Sequence, residues 1–461
     1  MKLIFTFLLA IASGVTLAQN VPDTQATPVL PLAMEASPIL TQQALPATMP
    51  AQTDITLPAA PAIGTGDLWD RIRRGFAMPD LQDEFVTNRE QWYSTRPDYI
   101  ARMTERSKKY LYHVVEELEA RHMPTELALL PFIESAFNPQ AMSSAKAAGM
   151  WQFIPSTGKH YDLKQNAFRD DRRDVQASTR AALDYLQKLY GMFGDWQLAL
   201  AAYNWGEGSV GRAIAKNQKL GLPTTYSDLK MPNETRYYVP KLQAVKNIVS
   251  NPVQFNTLLD EIPNHPYFQS VPITRDMDVA IAAQLAQVPL ADFKALNPSL
   301  SRPVILAAGT SQVLMPWGNA ETFNNNLEQY KGQLASWTAW TAPSTMKPKD
   351  AAKRVGMSET QLREVNGIAM NKGLIKVGST LLIPRSAHKT EDVTAQIADN
   401  GQLTMYVPPQ PKCKIVKAKN GKKITVCAKP NKAVKANTHK ALHKTPIPST
   451  KLSERKKYAQ Q

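Results

Sequence analysis

From Asp67 to about Phe255 the sequence places apolar residues at helical spacing, and it shows no convincing alternation of the kind that marks a β-strand. The residues on one face of DVQASTRAALDYLQKLYGMF include Ala182, Tyr185, Leu186, Leu189 and Phe193. A segment with this period and dense surface charge folds as helices that bury their apolar faces against each other. The sequence therefore predicts an all-α domain over residues 67–255.

Residues that favour helix ends mark boundaries inside this domain. Pro124 opens the short apolar stretch PTELALLPFIES, and proline is favoured in the first turn of a helix. Asp195 is suited to cap WQLALAAYN, which has almost no polar face and is therefore expected at the centre of the domain. Asn233 is expected to begin another capped helix, NETRYYVPKLQAVKNIVS.

A weak internal repeat follows, over residues 270–316 and 337–384. The first copy contains LADFKALNP and QVLMP, and the second contains ETQLREVNG and KVGSTLLIP. Each copy begins like a strand, continues as two short helices around a Leu and Asn pair, and closes with a strand that ends in proline. We expect two small β-α-α-β modules, the second of them over 337–385.

The N-terminal segment is typical of an export signal. Lys2 precedes the apolar stretch LIFTFLLAI, and the small residues Thr16 and Ala18 precede Gln19, so residues 1–18 are predicted to be a signal peptide. The alternative is an N-terminal membrane anchor. Residues 19–66, rich in Pro, Ala and Thr, are expected to be a linker. Because no cysteine lies near residue 18, a lipid anchor is not expected, and we predict the periplasm or cell envelope.

The formal net charge of +15 is concentrated at the C-terminal end. Residues 411–461 contain fourteen Lys and one Arg against a single acid, Glu454. We expect residues 386–461 to form a basic, disordered tail that contacts anionic envelope polymers and not nucleic acid, because the chain is exported. The alternative is a tail that only increases solubility.

Two cysteines lie in this tail, Cys413 and Cys427. Asn420-Gly421 favours a hairpin turn between them, and counting outward from a three-residue loop places the cysteines opposite each other. Directly opposed cysteines have a spacing that permits a disulfide, and an oxidising compartment favours it. The alternative is two free thiols.

The first candidate for chemistry is Glu134, which follows LALLPFI and precedes Ser135. An apolar setting disfavours the charged form of a carboxyl and raises its pKa, which suits a general acid. Ser135 is expected to hydrogen-bond this carboxyl or the substrate. The alternative is a surface glutamate after a buried helix end.

The motif GMWQF lies downstream of Glu134. Gly149 permits close backbone approach, Trp151 and Phe153 can pack beneath a site or against sugar rings, and Gln152 offers both a donor and an acceptor for a hydroxyl or N-acetyl group. The alternative, core packing, is expected for at least one of Met150 and Trp151.

Two further motifs carry polar groups. ALAAYNWGEG places Tyr203 and Asn204 at a helix end, where a phenol and an amide can stabilise a cationic sugar intermediate or orient its acetamido group. The alternative is helix capping. ETRYYVPK supplies Tyr237 as a further candidate, with Tyr238 as its rival.

The motifs ESAFNP, GMWQFIPSTG, AAYNWGEG and ETRYYVPK resemble, in order and spacing, those of the family 1 lytic transglycosylases, which are similar in fold to goose-type lysozyme. This resemblance implies a multidomain protein with an all-α lysozyme-like catalytic domain. It implies that Glu134 is the sole catalytic acid and base, that the substrate is peptidoglycan, and that no cofactor takes part. Ser135, Gln152, Tyr203, Asn204 and Tyr237 would line the site. The expected product is a 1,6-anhydromuramyl end, and the protein is expected to be a monomer.

The resemblance extends to LysM modules, closely over 337–385 and in a degenerate form over 270–316. LysM modules usually carry a Gly-Asp-Thr-Leu-like turn after the first strand, and Pro343-Ser344-Thr345-Met346 stands there instead. Glycan affinity is therefore expected to be weakened or altered. Structural modules without a ligand are the alternative.

Two other functions remain open from the sequence. A hydrolase of the same fold needs a second carboxylate facing Glu134, for which Asp162, Asp170, Asp171 and Asp174 are candidates; the last three lie in FRDDRRD, which favours a salt-bridged surface. A wall-binding protein without activity is the other. The seven histidines show no metal-binding spacing, so no metal is expected.

Overall fold

The computed structural model describes residues 66–370, 373–386 and 391–407, together with the strands Cys413–Lys417 and Lys423–Cys427. The chain divides into two compact units, Met1–Tyr406 and Val407–Gln461. The predicted signal peptide lies outside the described residues, as does the predicted linker apart from Gly66.

Helices account for the regular structure between Leu68 and Phe255. The α-helices are α1 (Leu68–Arg74), α2 (Glu84–Ser94), α3 (Pro97–Ser107), α4 (Leu111–Ala120), α5 (Leu130–Ser135), α6 (Pro155–His160), α7 (Val175–Phe193), α8 (Trp196–Trp205), α9 (Glu207–Lys219), α10 (Asn233–Arg236) and α11 (Tyr238–Ser250). Short 3₁₀ segments lie at Thr125–Leu129, Tyr226–Asp228 and Pro252–Phe255. Within this described range β pairing is limited to isolated bridges, so the predicted all-α domain is confirmed.

Helix α8 lies at the centre of this domain, as its composition predicts. Its residues Leu198 to Ala202 are all buried, and it packs against α7, α9 and α11. The predicted cap is also confirmed, since the Asp195 carboxylate accepts a hydrogen bond from the Leu198 backbone N–H at 2.8 Å. Burial of α8 on every side fixes the position of the residues at its C-terminal end.

The stretch NETRYYVPK differs from its prediction. It forms two helices, α10 and α11, and Asn233 makes no side-chain cap. Pro240 lacks the backbone N–H that would bond to Arg236, so a continuous helix across this point loses a hydrogen bond, whereas proline is accepted in the first turn of a new helix. The break at Tyr237 determines which of the two tyrosines faces the core.

Two β-α-α-β modules follow, as predicted. The elements of the first are β1 (Phe268–Pro272), β2 (Met277–Asp278), α12 (Val279–Leu285), α13 (Leu290–Leu296), β3 (Val304–Ile305) and β4 (Gln312–Pro316), and α14 (Ala320–Gln329) comes after it. The elements of the second are β5 (Trp337–Thr341), α15 (Pro348–Arg354), α16 (Glu359–Asn366), β6 (Leu374–Ile375) and β7 (Thr380–Pro384). Outer strands pair antiparallel in each, with Phe268 opposite Pro316 and Trp337 opposite Pro384.

The asparagine of the repeat has the same role in both modules. Asn297 donates to the Leu314 carbonyl and accepts from the Leu314 N–H, both at 2.8 Å. Asn366 makes the same pair of bonds with Leu382, at 2.9 and 2.7 Å. Each buried amide thus joins the second helix to the closing strand, which explains why the repeat retains asparagine there.

The folded region continues past the predicted boundary at residue 386. Residues 391–407 include α17 (Ala395–Asn400) and β8 (Met405–Tyr406), which pairs with β6. Val393 and Ala398 are buried. The prediction of a tail from residue 386 was wrong because lysine enrichment begins only near residue 412, whereas this segment supplies apolar side chains to the modules.

Residues 166–169 connect the helical domain to both modules. The Asn166 amide donates to the carbonyls of Ala398 and Asp399, and Arg169 pairs with Asp399. The neighbours of the Phe168 side chain in the apolar cluster include Val304, Leu306, Ala339, Leu382 and Ala398. This short segment is therefore one of the places where the modules pack against the helical domain.

The sequence predicts that the charged run FRDDRRD forms a salt-bridged surface. The ion pairs are present, but part of the run is buried instead of lying at the surface. Arg172 pairs with Asp170 at 2.7 Å and also donates to the carbonyls of Lys146 and Phe153. Both Asp171 and Arg172 are buried. Their charges are compensated internally, so composition alone is misleading here.

No single helix among the described residues is long and apolar enough to cross a membrane. In this part of the chain one pair of helices, α12 and α13, meets the length and composition criterion when taken together, and the pair is bent by 107°.

In the second unit, β9 (Cys413–Lys417) pairs antiparallel with β10 (Lys423–Cys427). Cys413 lies opposite Cys427, which confirms the predicted register. The sulfur atoms and the remaining tail lie outside the described residues, so the disulfide and the disorder of the tail stay predictions.

Candidate functional site

Glu134 lies in the last turn of α5, where the chain leaves the helix abruptly. Ala136 and Phe137 both adopt left-handed backbone conformations, with φ of 50° and 55°. Two successive non-glycine residues in this region are strained, and such strain concentrates at functional sites. The Glu134 side chain is only 8% exposed, so the bland interpretation as a surface glutamate does not describe it.

The carboxyl of Glu134 is hydrogen-bonded to Tyr238. The Tyr238 hydroxyl donates to Oε1 at 2.5 Å, joining α5 to α11. Burial raises the pKa of the Glu134 carboxyl to about 7, against the opposing effect of this hydrogen bond. A buried carboxyl with this pKa is partly protonated at neutral pH and can act both as proton donor and as proton acceptor.

Tyr237, named from the sequence as a site residue, is not the tyrosine that contacts Glu134. Its ring packs on Phe85 at 4.6 Å between centroids and lies beneath the guanidinium of Arg89. The helix break at Tyr237 turns the next side chain, that of Tyr238, into the core. The contact with Glu134 therefore belongs to the rival residue, and a position for Tyr237 along a substrate cleft remains a prediction.

Two charged residues near Glu134 were missed by sequence reasoning. The pKa of Glu134 is lowered by the charge of Lys241 and raised by that of Glu234. Burial lowers the pKa of Lys241, and the two carboxylates oppose that effect. Both lie within the motif ETRYYVPK, so the signal in the sequence is a pair of charged residues that flank the candidate tyrosines.

The loop GMWQF is fixed against both α5 and the charged run. A Cβ atom on Gly149 would lie 1.9 Å from the Arg172 carbonyl oxygen, and the Gly149 φ is +85°. Only glycine fits there, as expected from the sequence. The Ser135 hydroxyl donates to the Met150 carbonyl at 2.9 Å. Ser135 thus connects this loop to α5, and it makes no hydrogen bond to Glu134.

The aromatic residues of the loop lie beneath the site. Met150, Trp151 and Phe153 are all buried, and the Trp151 indole donates to Thr179 at 3.0 Å. Core packing, the alternative for Met150 and Trp151, is thus what the structure has. Gln152 is partly exposed, and its amide donates to the Gly149 carbonyl at 2.7 Å. The side-chain oxygen of Gln152 is an acceptor, and its contact with a sugar remains a prediction.

Tyr203 and Asn204 lie at the C-terminal end of α8. The Tyr203 hydroxyl donates to the Trp151 carbonyl at 2.9 Å. Burial raises the Tyr203 pKa well above its ordinary value, and the nearby Glu134 charge raises it further. Asn204 Oδ1 accepts from Thr235 at 2.8 Å, while its buried Nδ2 has no partner among the described residues. That free N–H is available to an acceptor such as an acetamido carbonyl.

Three of the four acids proposed as a second carboxylate have other partners, Asp162 being the exception among the described contacts. Asp170 binds Arg172, Asp171 accepts from Lys164, and Asp174 caps α7 and accepts from Ser299. Burial raises the pKa of Asp171 to about 6. Among the described residues no group of three or more potential metal ligands lies together.

In the second module the divergent turn keeps one polar contact. Thr345 Oγ1 accepts from the Val377 N–H at 3.1 Å, and Met346 pairs with Ile375 through two backbone hydrogen bonds. The turn is therefore closed without Gly-Asp, and its affinity for glycan remains a prediction.

Three segments match known protein families. Residues 113–222 match the family Transglycosylase SLT domain, residues 267–332 match Lytic transglycosylase MltD, LysM-like domain, and residues 352–384 match LysM domain. The resemblance inferred from the motifs, including that of both modules to LysM, is confirmed.

Relatives support the same grouping. Over 359 residues the chain is 33% identical to Membrane-bound lytic murein transglycosylase D of Escherichia coli strain K12. The matched region covers 74% of this chain and 78% of that protein. It is 37% identical over 169 residues to Putative tributyltin chloride resistance protein of Alteromonas sp. strain M-1, which covers 36% of this chain and 80% of that protein.

Substitution of Glu134 by Gln tests the raised pKa through stability. The wild-type carboxyl titrates near 4.5 when unfolded and about 7 when folded, so its burial favours folding at low pH and opposes it progressively as the pH rises through that window. Glu134→Gln retains the acceptor for Tyr238 and removes the titration. The free energy of unfolding of the variant, relative to that of wild type, should rise by about 3 kcal/mol between pH 4.5 and 7. Above pH 7 this difference should become constant.

Urea unfolding at a series of pH values measures this difference. The control is Glu328→Gln, the same substitution at an exposed glutamate far along the sequence from the site. A pH-independent difference for Glu134→Gln would show that Glu134 titrates normally.

Proposed function

Because this chain belongs to the lytic murein transglycosylase family and is a peptidoglycan lytic transglycosylase, we propose that it cleaves the bond between N-acetylmuramic acid and N-acetylglucosamine without water, and leaves a 1,6-anhydromuramyl end. The observation that carries this proposal is the buried Glu134 carboxyl, with a pKa of about 7 and Tyr238 as its hydrogen-bond partner. One carboxyl in this state suits a reaction that needs an acid and then a base.

In the first step, the protonated Glu134 gives its proton to the bridging oxygen, and the bond from the muramyl C1 breaks. Since Oε1 accepts from Tyr238, the proton is placed on Oε2, which is the oxygen left for the substrate. The carboxylate that results keeps the Tyr238 hydrogen bond, and the positive charge of Lys241 favours it.

In the second step, the muramyl C6 hydroxyl attacks C1 and transfers its proton to Glu134. The proton balance closes on one side chain, so a second carboxylate to activate water is not required. Asn204, whose Nδ2 has no partner in the described part of the chain, is assigned to the 2-acetamido carbonyl, and Gln152 and Tyr203 to the walls around it. Ser135 has a positioning role through its bond to Met150.

A hydrolase of the same fold is the second candidate, because one carboxylate does act on Glu134. Glu234 raises the Glu134 pKa, and burial raises that of Glu234. Glu234 lies on α10, directly before the helix that carries Tyr238, and its charge also acts on Lys241; this favours an electrostatic role over activation of water across the sugar. A wall-binding protein without activity is disfavoured by the intact set of Glu134, Tyr238 and Asn204.

Digestion of murein sacculi with product analysis by mass tests the reaction. Wild type should release fragments with anhydro ends, one water lighter than reducing ends, and should incorporate no oxygen from ¹⁸O-labelled water. Glu134→Gln should lose on the order of 10²-fold or more of the rate, since a general acid contributes that much.

Glu234→Gln is the matched control, at the neighbouring carboxyl. It should keep the anhydro products at a rate within about tenfold of wild type. If wild type instead produced ¹⁸O-labelled reducing ends, and these were lost in Glu234→Gln, the hydrolase would be established. If wild type bound sacculi but released no fragments, the wall-binding protein would be established.

The location is proposed to be the cell envelope, by export into the periplasm. Support comes from the predicted signal peptide at residues 1–18, and from the relative whose name describes a membrane-bound murein enzyme. The protein is proposed to act as a monomer, with both LysM modules binding glycan strands.

The lysine-rich tail is proposed to contact anionic envelope polymers. Its fourteen Lys and one Arg against Glu454, in residues 411–461, give a high local positive charge. Deletion of residues 408–461, which leaves the folded segment through Tyr406 intact, should weaken attachment to sacculi at low salt. Cleavage of soluble fragments should change little.

Co-sedimentation with sacculi at increasing salt measures this effect. Wild-type attachment should fall as salt rises, while that of the deletion variant should be weak and nearly constant. Equal attachment of both proteins at low salt would contradict an electrostatic role of the tail.

A further inference from the structure

A cavity of about 220 Å³ lies along one face of α9. The residues that line it include Trp205, Ser209, Arg212, Lys216, Asn217 and Lys230. Three of these side chains are cationic, and the cavity lining contains no acid. No ion pair joins Arg212, Lys216 or Lys230 to any carboxylate among the described residues. The cavity therefore has a positive charge that the described part of the protein does not compensate.

A second, independent feature points to a ligand. The indole N–H of Trp205 is buried and has no acceptor among the described residues. Buried donors in folded proteins are normally paired, so an unpaired one calls for an acceptor beyond the described residues. Ser209 Oγ is already an acceptor for Arg212, at 3.1 Å, which fixes the guanidinium at the cavity wall.

The cavity and the site of Glu134 are built partly from the same stretches of chain. Trp205 follows Asn204 directly at the end of α8, and Asn204 is hydrogen-bonded to Thr235 of α10. Lys230 lies in the segment that leads into α10. A substrate whose acetamido group reaches Asn204 would therefore have its neighbouring substituent close to this cavity.

We propose that the cavity is an anion subsite for a carboxylate of the peptide that peptidoglycan carries on its muramyl lactyl group. This inference rests on the proposed function, because the sugar units themselves are neutral and only the peptide brings carboxylates. Guanidinium, ammonium and indole donors match the oxygens of a carboxylate, and a volume of about 220 Å³ accommodates one amino-acid side chain with its carboxylate. The subsite selects strands that retain their peptides.

Binding to the full-length Glu134→Gln protein, labelled with ¹⁵N-tryptophan, tests the subsite without cleavage. The chain has 8 Trp, and Trp205→Phe identifies the Trp205 indole signal by its loss. The probe is a muramyl disaccharide that carries its peptide, and the control ligand is the same compound with its carboxylates amidated. The Trp205 signal should shift much further with the first ligand than with the second, whose sugars alone reach the neighbouring Asn204.

Matched variants on one helix test the charge. Lys216→Gln should weaken binding of the peptide-bearing disaccharide about three- to tenfold, because it removes one charge-assisted contact. Lys219→Gln, an exposed position on α9 outside the cavity, should leave binding unchanged. Equal weakening by both variants, or equal shifts with the amidated ligand, would overturn the proposal.

Inorganic phosphate is the third ligand, because phosphate polymers present similar oxygens. A shift of the Trp205 signal at lower concentrations of phosphate than of the peptide-bearing disaccharide would assign the cavity to phosphate and overturn the peptide. A shift that is much larger with the peptide-bearing disaccharide than with phosphate or the amidated ligand supports the subsite even if digestion yields no anhydro ends. The subsite and the proposed reaction can therefore fail separately.

Discussion

The hydrogen bond from Tyr238 to Glu134 is the interaction on which the rest of the site depends. It joins the last turn of α5 to the first turn of α11, at a point where the carboxyl has little access to water. Desolvation raises the pKa of this carboxyl, and the phenol and Lys241 limit the rise to about 7. Without the Tyr238 phenol, the Glu134 pKa would be higher, and the protonated carboxyl would be too stable to act afterwards as a base. Without burial, the pKa would be lower, and the carboxylate would be too stable to act first as an acid.

The same carboxyl is connected to the modules by a chain of contacts. Ser135 bonds the Met150 carbonyl, Gly149 packs closely on Arg172, and the run that contains Arg172 begins at Phe168, which is buried among residues of both modules. Peptidoglycan is an extended polymer, so under the proposal that the modules bind glycan, their packing against the helical domain would hold a strand at a constant distance from the acid. The folded segment 391–407 strengthens this arrangement, since it contacts the helical domain and the second module together.

Much of this architecture was predictable because it depends on local patterns. Apolar periodicity identified the helical domain, the Leu and Asn pairs identified the repeat, and the apolar sequence before Glu134 predicted its desolvation. The choice between Tyr237 and Tyr238 was not predictable, because it depends on a helix break that Pro240 imposes and on the direction of each side chain. Arg172 was missed for a different reason: its burial depends on carbonyls of distant residues, which composition does not reveal.

Direct titration of the Glu134 carboxyl tests the central claim. In protein labelled with ¹³C at glutamate carboxyls, the signal lost in Glu134→Gln should titrate with a pKa of about 7 in wild type. Tyr238→Phe should raise that pKa, because the hydrogen bond that favours the carboxylate is removed, while Tyr237→Phe should leave it in place. A wild-type pKa near the ordinary value of 4.5, or a pKa that responds to Tyr237 and not to Tyr238, would contradict the account.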